Sequence, residues 1–417
     1  MSLIRDVKIG DANKRISGHI LEKIDNVDND YFISANKRIY NRMHRGYFEY
    51  DTGAKNPNSP LNPWAFIRVC NEIVTLRACL ESILPAIQRG VIGYNNCTDG
   101  SEEVILEFCG QYPSFIPVKY PYDICLQGLK EEKNKLYMYY NYVLSFIPQN
   151  EWLIKIDADH IYDAKKLYKM LYFPTNPDEL VFIPRLNLDV IDDEVYVIPY
   201  SKEKYWIEGS DHWLINNRNL IFDQGGYYDG GWVYSHSHGR NYINEVCGRI
   251  FEGLHVKNHF QAKQIYSAEL NNYHFYNINK EKRNLKKEDN WITIDQYLET
   301  NPENLVDIKI DKSFFNKERI LKQYKKFNFS KNYRNVAHRD TLVLKSFDSM
   351  FEWVVNINMA WQDVCEKLYS TKNQLDSAKK ELDSTKQQLD SKVKELDSKT
   401  KELSSLPIKK QTLEIKN

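Results

Sequence analysis

The sequence has no surplus of charge and no long apolar run. Its 57 lysine and arginine residues balance 57 aspartate and glutamate residues, so the formal net charge is zero. Proteins that bind nucleic acids by releasing counterions need a net or local excess of basic residues, so we expect no nucleic-acid partner. No stretch reaches the roughly 18 uninterrupted apolar residues of a membrane-spanning helix. We therefore expect no transmembrane segment, and neither a secretory signal nor an anchor in residues 1–15.

Cysteine pairs are also missing. The seven cysteines are odd in number, scattered along the chain and without a CxxC pair, which predicts reduced thiols in a cytosolic protein. Aromatic residues make up 13% of the chain, which excludes a mostly disordered protein. A length of 417 residues fits one large domain with appendages, or two to three modules.

Short apolar runs alternate with helical patterns through the first half of the chain. The runs predict four buried strands, at Trp64–Val69, Gly90–Tyr94, Phe115–Tyr120 and Trp152–Ile156. Helical patterns lie between them and begin at Ile73, Ser101 and Glu131, and residues 1–60 predict one further helix. The alternation of strands and helices predicts an α/β protein with a parallel, Rossmann-like sheet. Ligands of such sheets bind beyond the carboxyl ends of the strands, so the polar loops at 95–101 and 157–163 are the candidate site.

Two carboxylates follow the fourth predicted strand. Asp157 and Asp159 lie at the mouth of the apolar run WLIKI. Removing a lone carboxylate from water costs free energy unless a cation pairs with it. Acids two residues apart at a strand end can converge on Mg²⁺ or Mn²⁺, which take few carboxylates together with waters and phosphate oxygens. The alternative is that one of them caps the helix that follows.

These motifs carry a resemblance to a known family. The segments IRVCNE, NNCTDGSEE and WLIKIDADHIYD follow one another as they do in the GT-A glycosyltransferases of the family-2 kind. More narrowly, SPLNPWAFIRVCNE and AELNNYHF resemble the bacterial β-1,4-N-acetylgalactosaminyltransferases, which build the ganglioside-like outer core of lipooligosaccharide. The resemblance covers about residues 45–300 and is densest in 60–170.

The resemblance implies a GT-A fold, a mostly parallel sheet with flanking helices. The expected organisation is an N-terminal extension (1–60), the GT-A domain (61–300, with a nucleotide-binding half at 61–165 and an acceptor half at 166–300), a helical extension (301–365), a leucine-repeat helix (366–406) and a tail (407–417).

The resemblance also implies a metal site. In GT-A enzymes the DxD motif holds a divalent ion, here Mn²⁺ or Mg²⁺, that bridges the diphosphate of the donor. Carried over, Asp159 is the direct ligand and Asp157 lies near the ribose or a metal-bound water. His274 matches a late histidine that serves as a further ligand, the alternative being a buried, hydrogen-bonded histidine. His160 could be a ligand, but we assign it a structural role or a role in supporting the ligands, because adjacent strand residues point to opposite faces.

A nucleotide pocket follows from the same resemblance. Arg68 and Glu72 match the family's RNE motif, although an internal ion pair between them is an equal alternative. Asn95 begins the loop that contacts uracil in the family. Asp99 at the end of that loop either contacts the nucleotide or caps the next helix. Asn141 falls where the family has a contact to the diphosphate.

An inverting transferase needs a carboxylate that takes the proton from the acceptor hydroxyl. Asp211, in the segment WIEGSDH, is the candidate, and Glu208 is its rival. The implied activity is transfer of N-acetylgalactosamine from UDP-GalNAc to a galactose-containing, sialylated lipooligosaccharide in β-1,4 linkage. The alternatives are another UDP-hexose or HexNAc transferase, a nucleotide-sugar hydrolase, and a coiled-coil scaffold with a degenerate transferase domain.

Leucines recur every seven residues between residues 368 and 403, within a repeated LDS unit. The spacing predicts a helix that mediates homo-oligomerisation or docking at a membrane surface, the alternative being a solvated helix. We expect a cytoplasmic protein, associated peripherally with the inner membrane.

Overall fold

The protein is represented by a computed structural model that describes residues 7–9, 11–124, 131–198, 206–207, 212–218, 220–228, 231–234, 250–256, 264–278, 290–299, 311–329, 371, 374–375, 377–379 and 381–402. The chain divides into two compact units, residues 1–338 and 339–417. Each is described by itself.

The secondary structure of the first unit alternates strands and helices up to residue 170 and then consists mainly of strands. The strands are β1 (Val7–Ile9), β2 (Trp64–Val69), β3 (Arg89–Tyr94), β4 (Phe115–Lys119), β5 (Trp152–Asp157), β6 (His160–Tyr162), β7 (Glu179–Phe182), β8 (Arg185–Ile191), β9 (Glu194–Val197), β10 (Trp206–Ile207), β11 (Trp213–Asn216), β12 (Leu220–Tyr228), β13 (Gly231–Tyr234), β14 (Ile250–Val256), β15 (Gln264–Ser267), β16 (Asn272–Phe275) and β17 (Ile292–Thr293). The helices are α1 (Gly18–Asp25), α2 (Asn29–Asn36), α3 (Leu76–Ile83), α4 (Ser101–Gln111), α5 (Leu136–Leu144), α6 (Ala164–Met170), α7 (Ile294–Glu299) and α8 (Lys317–Tyr324).

The main sheet has the strand order β1-β15-β7-β11-β5-β2-β3-β4. The four strands predicted from the apolar runs, β2 to β5, are all present and parallel to one another. Strand β11 is antiparallel to both of its neighbours, β5 and β7. The predicted α/β fold with a mostly parallel sheet is confirmed, and β5 lies at its centre.

The helices between these strands begin later than the sequence patterns predict. The pattern predicts α3 from Ile73, but the helix begins at Leu76 because the preceding segment forms a turn in which Asn71 has a positive φ of 57°. Helix α5 begins at Leu136, not at Glu131, because the backbone of Lys135 is extended. Both differences lengthen the polar loops at the carboxyl edge of the sheet, where ligands of parallel sheets bind.

Close helix packing on the main sheet explains one glycine. A Cβ added to Gly93 in β3 would collide with Val143 Cγ2 and lie 3.2 Å from Tyr139 Oη, both on α5. Glycine at this position therefore lets α5 approach the sheet closely.

A second sheet has the order β17-β9-β8-β16-β6, with β10 paired to β8. Its own core includes Phe314, Phe315 and Ile320, which are buried against strands β8, β9 and β16. Residues 311–329, predicted as part of a separate helical extension, thus complete a core of the first unit. Residues 330–370 lie outside the described part of the chain.

The N-terminal segment contains two helices, α1 and α2, where the sequence pattern predicts one. Ile24 and Phe32 on these helices are fully buried in the core of the main sheet. Strand β1 extends that sheet by pairing in parallel with β15. The segment is therefore an integral part of the first unit.

In the second unit, residues 381–402 form one continuous helix, which we call the tail helix together with the helical residues described between 371 and 379. It coincides with the leucine repeat. None of the described helices combines the length and the apolar character that crossing a bilayer requires.

Candidate active site

The carboxyl ends of three parallel strands meet at one edge of the main sheet. Arg68 in β2 lies directly opposite Asp157 in β5, and the loop 95–101 follows β3 beside them. The two loops that the sequence singles out, 95–101 and 157–163, therefore lie on the same edge, as expected for parallel strands.

Asp157 is held by two basic side chains. Lys155, two residues earlier on the same face of β5, places Nζ 3.0 Å and 3.1 Å from the two carboxylate oxygens. His212 places Nε2 2.6 Å from Oδ2. Burial opposes ionisation of Asp157, but the charges of Lys155 and His212 outweigh it and hold its pKa well below the ordinary value. The protein itself therefore neutralises this carboxylate.

Asp159 lies in the turn between β5 and β6 and faces imidazole rings. His274 Nε2 is 3.1 Å from Oδ2, and His160 Nε2 is 3.5 Å from Oδ1. Burial opposes ionisation of Asp159, and the two histidines lower its pKa below the ordinary value. His160 thus lies beside Asp159. The expectation that they point apart does not apply, because β5 ends at Asp157 and Asp159 is outside a strand.

Hydrogen bonds fix the tautomer of His160. The Asn272 amide nitrogen donates a hydrogen bond to Pro184 O at 3.0 Å, so its oxygen faces His160 Nδ1 at 2.9 Å and accepts a hydrogen bond from the Nδ1–H group. Burial, together with the neighbouring His274 and His212, lowers the pKa of His160 well below its ordinary value. A neutral ring that carries its proton on Nδ1 presents a bare Nε2 lone pair to Asp159.

The second sheet positions His274. It lies opposite His160 in the antiparallel pairing of β16 with β6, and opposite Asn187 in the parallel pairing of β16 with β8. Its Nδ1 is 2.6 Å from Asn187 Oδ1. The contact to Asn187 turns Nε2 toward Asp159. The sequence match of His274 to a ligand position thus has a geometric counterpart.

The carboxylates reach solvent and the histidines lie behind them. The side chains of Asp157 and Asp159 are 28% and 30% exposed, whereas those of His212, His160 and His274 are at most 9% exposed. The acids therefore form the accessible surface of the cluster, and the imidazoles support them.

A third acid, Glu72, lies in the negative electrostatic field of Asp157 and Asp159. Burial, followed by the charges of Asp159 and Asp157, raises the pKa of Glu72 well above its ordinary value despite the opposing charge of Arg68. Arg68 itself donates from Nε to Tyr140 Oη at 3.0 Å. Three carboxyl groups, those of Asp157, Asp159 and Glu72, therefore lie close together at this edge of the sheet, near Arg68 and Lys155.

The donor atoms suit a divalent cation. Two overlapping groups bring three ligand atoms each within 4.8 Å of one another: Asp157, His160 and His212 in one, and Asp159, His160 and His274 in the other. Carboxylate oxygens with neutral imidazole nitrogens form a ligand set suited to Mn²⁺. His212 Nδ1 is buried and has no hydrogen-bond partner among the described residues.

The loop 95–101 is fastened to the loop after β2. Asp99 accepts hydrogen bonds from Ser101 N and Ile73 N, both at 2.9 Å, and Asn71 accepts one from Thr98 N at 2.7 Å. Asp99 thus bonds to the first amide of α4 and ties two loops together, although the N-cap position of the helix is Gly100, which has no side chain. Asn95 is buried directly after β3.

Asn141 on α5 bonds to a strand backbone. Its Nδ2 donates to Phe222 O and its Oδ1 accepts from Phe222 N, both at 2.8 Å. This pair of bonds fixes β12 against α5. A contact to a diphosphate, as the resemblance implies, requires that these bonds be exchanged.

The two candidate bases, Asp211 and Glu208, lie outside the described residues. His212, next to Asp211, is described and is the residue that the sequence analysis missed. Its side chain reaches Asp157 because β11 runs antiparallel to β5, with Leu214 opposite Ile154. The only sequence signal is a histidine adjoining a strand-like run.

A cavity of about 640 Å³ lies elsewhere, between the N-terminal segment, α6 and residues 311–319. Its basic side chains already have acidic partners. Lys166 contacts Glu269 and Asp311, and Arg319 contacts Asp163 at 2.6 Å. The ion pairs that line this cavity join the N-terminal segment and residues 311–319 to α6. We therefore assign the cavity a structural role and not the catalytic one.

Comparison with known proteins points to one family. Residues 2–328 match the family described as β-1,4-N-acetylgalactosaminyltransferase (CgtA). No curated protein matches the sequence. Among solved structures, the inositol-1-phosphate CTP transferase from T. maritima aligns with 52% of this chain and with 89% of its own, at 8% identity and a TM-score of 0.29. A TM-score this low carries no argument about fold or function.

Proposed function

This chain belongs to the β-1,4-N-acetylgalactosaminyltransferase (CgtA) family and is a glycosyltransferase, and from that premise we propose a full reaction. It transfers N-acetylgalactosamine, with inversion, from UDP-GalNAc to a galactose of a sialylated lipooligosaccharide outer core, in β-1,4 linkage. The observation that carries the proposal is the pair of solvent-facing carboxylates, each backed by a buried histidine, at the carboxyl end of the central strand.

The two acids have different parts in this proposal. Asp157 already has its charge balanced by Lys155 and His212, so it is suited to orient the ribose or a water. Among the described residues, Asp159 contacts the imidazole nitrogens of His274 and His160 and no lysine or arginine, so its charge is available to a cation. Asp159, with His274 and His160, would hold Mn²⁺ or Mg²⁺. When bound, the ion supplies positive charge that stabilises the departing diphosphate.

The remaining residues bind the nucleotide. Arg68 lies near the end of β2, Glu72 follows that strand, and both line the same edge as the acids. The loop from Asn95 to Asp99 is held beside them by hydrogen bonds. A loop fixed by several hydrogen bonds loses little entropy when a base docks on it, which favours binding. Asp99 acts on the nucleotide through the shape of this loop.

Asp211 is the proposed base that removes the proton from the acceptor hydroxyl, with Glu208 as the alternative. Asp211 adjoins His212, which bonds to Asp157, so the chain passes the metal-binding acids at this point. A base must lie within hydrogen-bonding distance of the acceptor, which reacts next to the donor phosphate.

The proposed acceptor is anchored in a lipid bilayer. An enzyme that uses a cytoplasmic sugar nucleotide and a lipid-linked acceptor must meet both at the cytoplasmic face of the inner membrane. We therefore place the protein there as a peripheral protein.

The experiment is a donor panel. Purified protein is incubated with UDP-GalNAc, UDP-GlcNAc, UDP-galactose and CMP-sialic acid, each with and without a sialylated lactose acceptor, and products are identified by NMR. The proposal predicts acceptor-dependent release of UDP from UDP-GalNAc alone and a new β-1,4 linkage. Release of UDP at the same rate without acceptor indicates a hydrolase, and turnover of a different donor overturns the proposed sugar.

A further inference from the structure

The tail helix presents a row of exposed apolar side chains. The side chains of these residues are 48–63% exposed: Leu375, Leu382, Leu389, Val393 and Leu396. We propose that this row binds the same row of a second copy of the chain as a parallel, two-stranded coiled coil whose heptad register shifts at Leu389. This inference is independent of the transferase activity.

A second column of small or apolar residues accompanies the leucines, but its position changes along the helix. In the first half it lies three residues after each leucine, at Ala378 and Thr385. In the second half it lies four residues after, at Val393 and Thr400. Read with this change, the helix carries both columns that a coiled-coil seam needs.

The change in position has a defined geometry. The steps along the seam are three and four residues alternately, except that Thr385, Leu389 and Val393 are separated by two consecutive steps of four. A 3-4-4 step pattern is an 11-residue repeat, which locally straightens the left-handed supercoil. A strict seven-residue register would instead place lysines in the seam, at Lys379 and Lys386 or at Lys392 and Lys399.

Charges beside the seam are complementary in a parallel pair. In a parallel pair, the residue at a g position faces the e position five residues further along the other chain. In the first half this pairs Glu381 with Lys386 of the second copy, and in the second half Lys392 with Asp397. Both contacts are attractive, and the two-fold symmetry of the pair makes each of them twice.

The antiparallel arrangement is the competing one. If two tail helices cross antiparallel at Leu389, the leucines still meet, but e positions then flank e positions and g positions flank g positions. Lys386 would lie near Asp390 and Asp397 of the second copy, and Glu381 near Lys392 and Lys399. These contacts are attractive too, so the two arrangements differ in which residues pair, and charge reversal separates them.

The seam residues also select two strands. β-Branched residues at a with leucine at d favour dimers, and Val393 and Thr400 occupy a positions between leucines at d. The dimer therefore holds its register through the second half of the helix.

Charge reversal tests the pairing in the full-length protein by sedimentation equilibrium. Glu381→Lys alone and Lys386→Glu alone should each raise the dimer dissociation constant about tenfold, because both symmetric contacts become repulsive. Mixing the two variants should restore wild-type affinity as a heterodimer. In an antiparallel pair, the lysine introduced at position 381 would face Lys392 and the glutamate introduced at position 386 would face Asp397, so mixing the two variants would not restore the affinity.

A second pair of variants tests the register shift. Thr385→Lys and Val393→Lys each put a charge into the proposed seam and should each weaken the dimer at least tenfold, whereas an unshifted register has only one of these two positions in the seam. Gln387→Lys adds the same charge to the outer face and should leave the affinity unchanged. Circular dichroism checks that the three variants keep the helix. A wild-type protein that stays monomeric at about 100 μM, no gain of affinity on mixing the two charge-reversal variants, or a weaker dimer with only one of Thr385→Lys and Val393→Lys would overturn the proposal.

Discussion

The rings of His160 and His274 stack face to face, with centroids 4.3 Å apart and an interplanar angle of 15°. Both rings use Nδ1 to contact an asparagine oxygen and turn Nε2 toward Asp159. Burial, together with the neighbouring rings of His274 and His212, lowers the pKa of His160 well below its ordinary value. The negative charge of Asp157 is balanced by Lys155, whereas Asp159 faces imidazole rings. A cation would therefore be stabilised beside Asp159.

The contact of His212 with Asp157 leads to the first prediction. His212→Phe keeps an aromatic ring in the buried position but removes the 2.6 Å hydrogen bond that orients Asp157. We expect the affinity for Mn²⁺ in the presence of UDP to fall about 10- to 100-fold, as for other residues that orient a metal-binding carboxylate. Electron paramagnetic resonance of free Mn²⁺ measures it. Unchanged affinity with an unchanged fold would remove His212 from the site.

The second prediction concerns the base. Asp211→Asn should lower the turnover number by about a hundredfold or more and leave the affinity for UDP as in wild type, because a general base acts only in the chemical step. Glu208→Gln is the matched variant. If Glu208→Gln has the larger effect on turnover, or Asp211→Asn alters only donor affinity, the base must be reassigned.

The third prediction concerns packing between α5 and the sheet. Gly93→Ala should lower the free energy of unfolding by about 1–3 kcal/mol, because the new methyl group collides with Val143. Gly110→Ala on α4 is the control, since the only atom near its added methyl group is Tyr40 Oη at 3.9 Å, and it should be neutral or stabilising. Urea unfolding compares them. Equal stabilities of the two variants would contradict the close approach of α5.

The fourth prediction is a pH dependence. Burial lowers the pKa of His44 to about 4, and its Nε2 donates to Ile87 O at 2.8 Å. Because the folded pKa lies below the unfolded value, the unfolded chain takes up the proton first as the pH falls, and folding loses stability below about pH 6.5. Between pH 8 and pH 5 this one histidine should cost about 2 kcal/mol.

The substitution His44→Gln checks that assignment. Glutamine can keep the hydrogen bond to Ile87 but does not titrate, so unfolding free energies of the variant should fall less between pH 8 and pH 5 than those of wild type. An identical fall in both proteins would place the acid sensitivity in other groups.

The sequence predicts the local order of this fold well. The apolar runs mark β2 and β5 at Trp64–Val69 and Trp152–Asp157 nearly to the residue, because a buried parallel strand leaves a continuous apolar signature. The start of α4 at Ser101, with Glu102 and Glu103 in its first turn, is equally clear from the sequence, although Gly100 and not Ser101 is the N-cap residue. The starts of other helices are less clear from the sequence. Helix α3 begins three residues after the predicted start, because the segment before it forms the turn at Asn71 and the Ile73 amide in that turn donates to Asp99 from another loop.

Long-range pairings are what the sequence does not reveal. His274 meets His160 only because β16 pairs with β6, 114 positions earlier at this register. His212 meets Asp157 because β11 returns antiparallel to β5. Neither pairing has a local signal. The resemblance of AELNNYHF to a known family pointed to His274, and nothing comparable pointed to His212.

The most direct test of the metal-binding role is calorimetry of Mn²⁺ binding in the presence of UDP. Wild-type protein should bind one equivalent of Mn²⁺ per chain, and Asp159→Asn should bind none at the same concentrations with an unchanged melting temperature. Asp192→Asn, which changes an exposed aspartate in the β8–β9 turn, should bind as wild type does. Binding by Asp159→Asn with wild-type affinity, or no uptake of Mn²⁺ by the wild-type protein, would contradict the account.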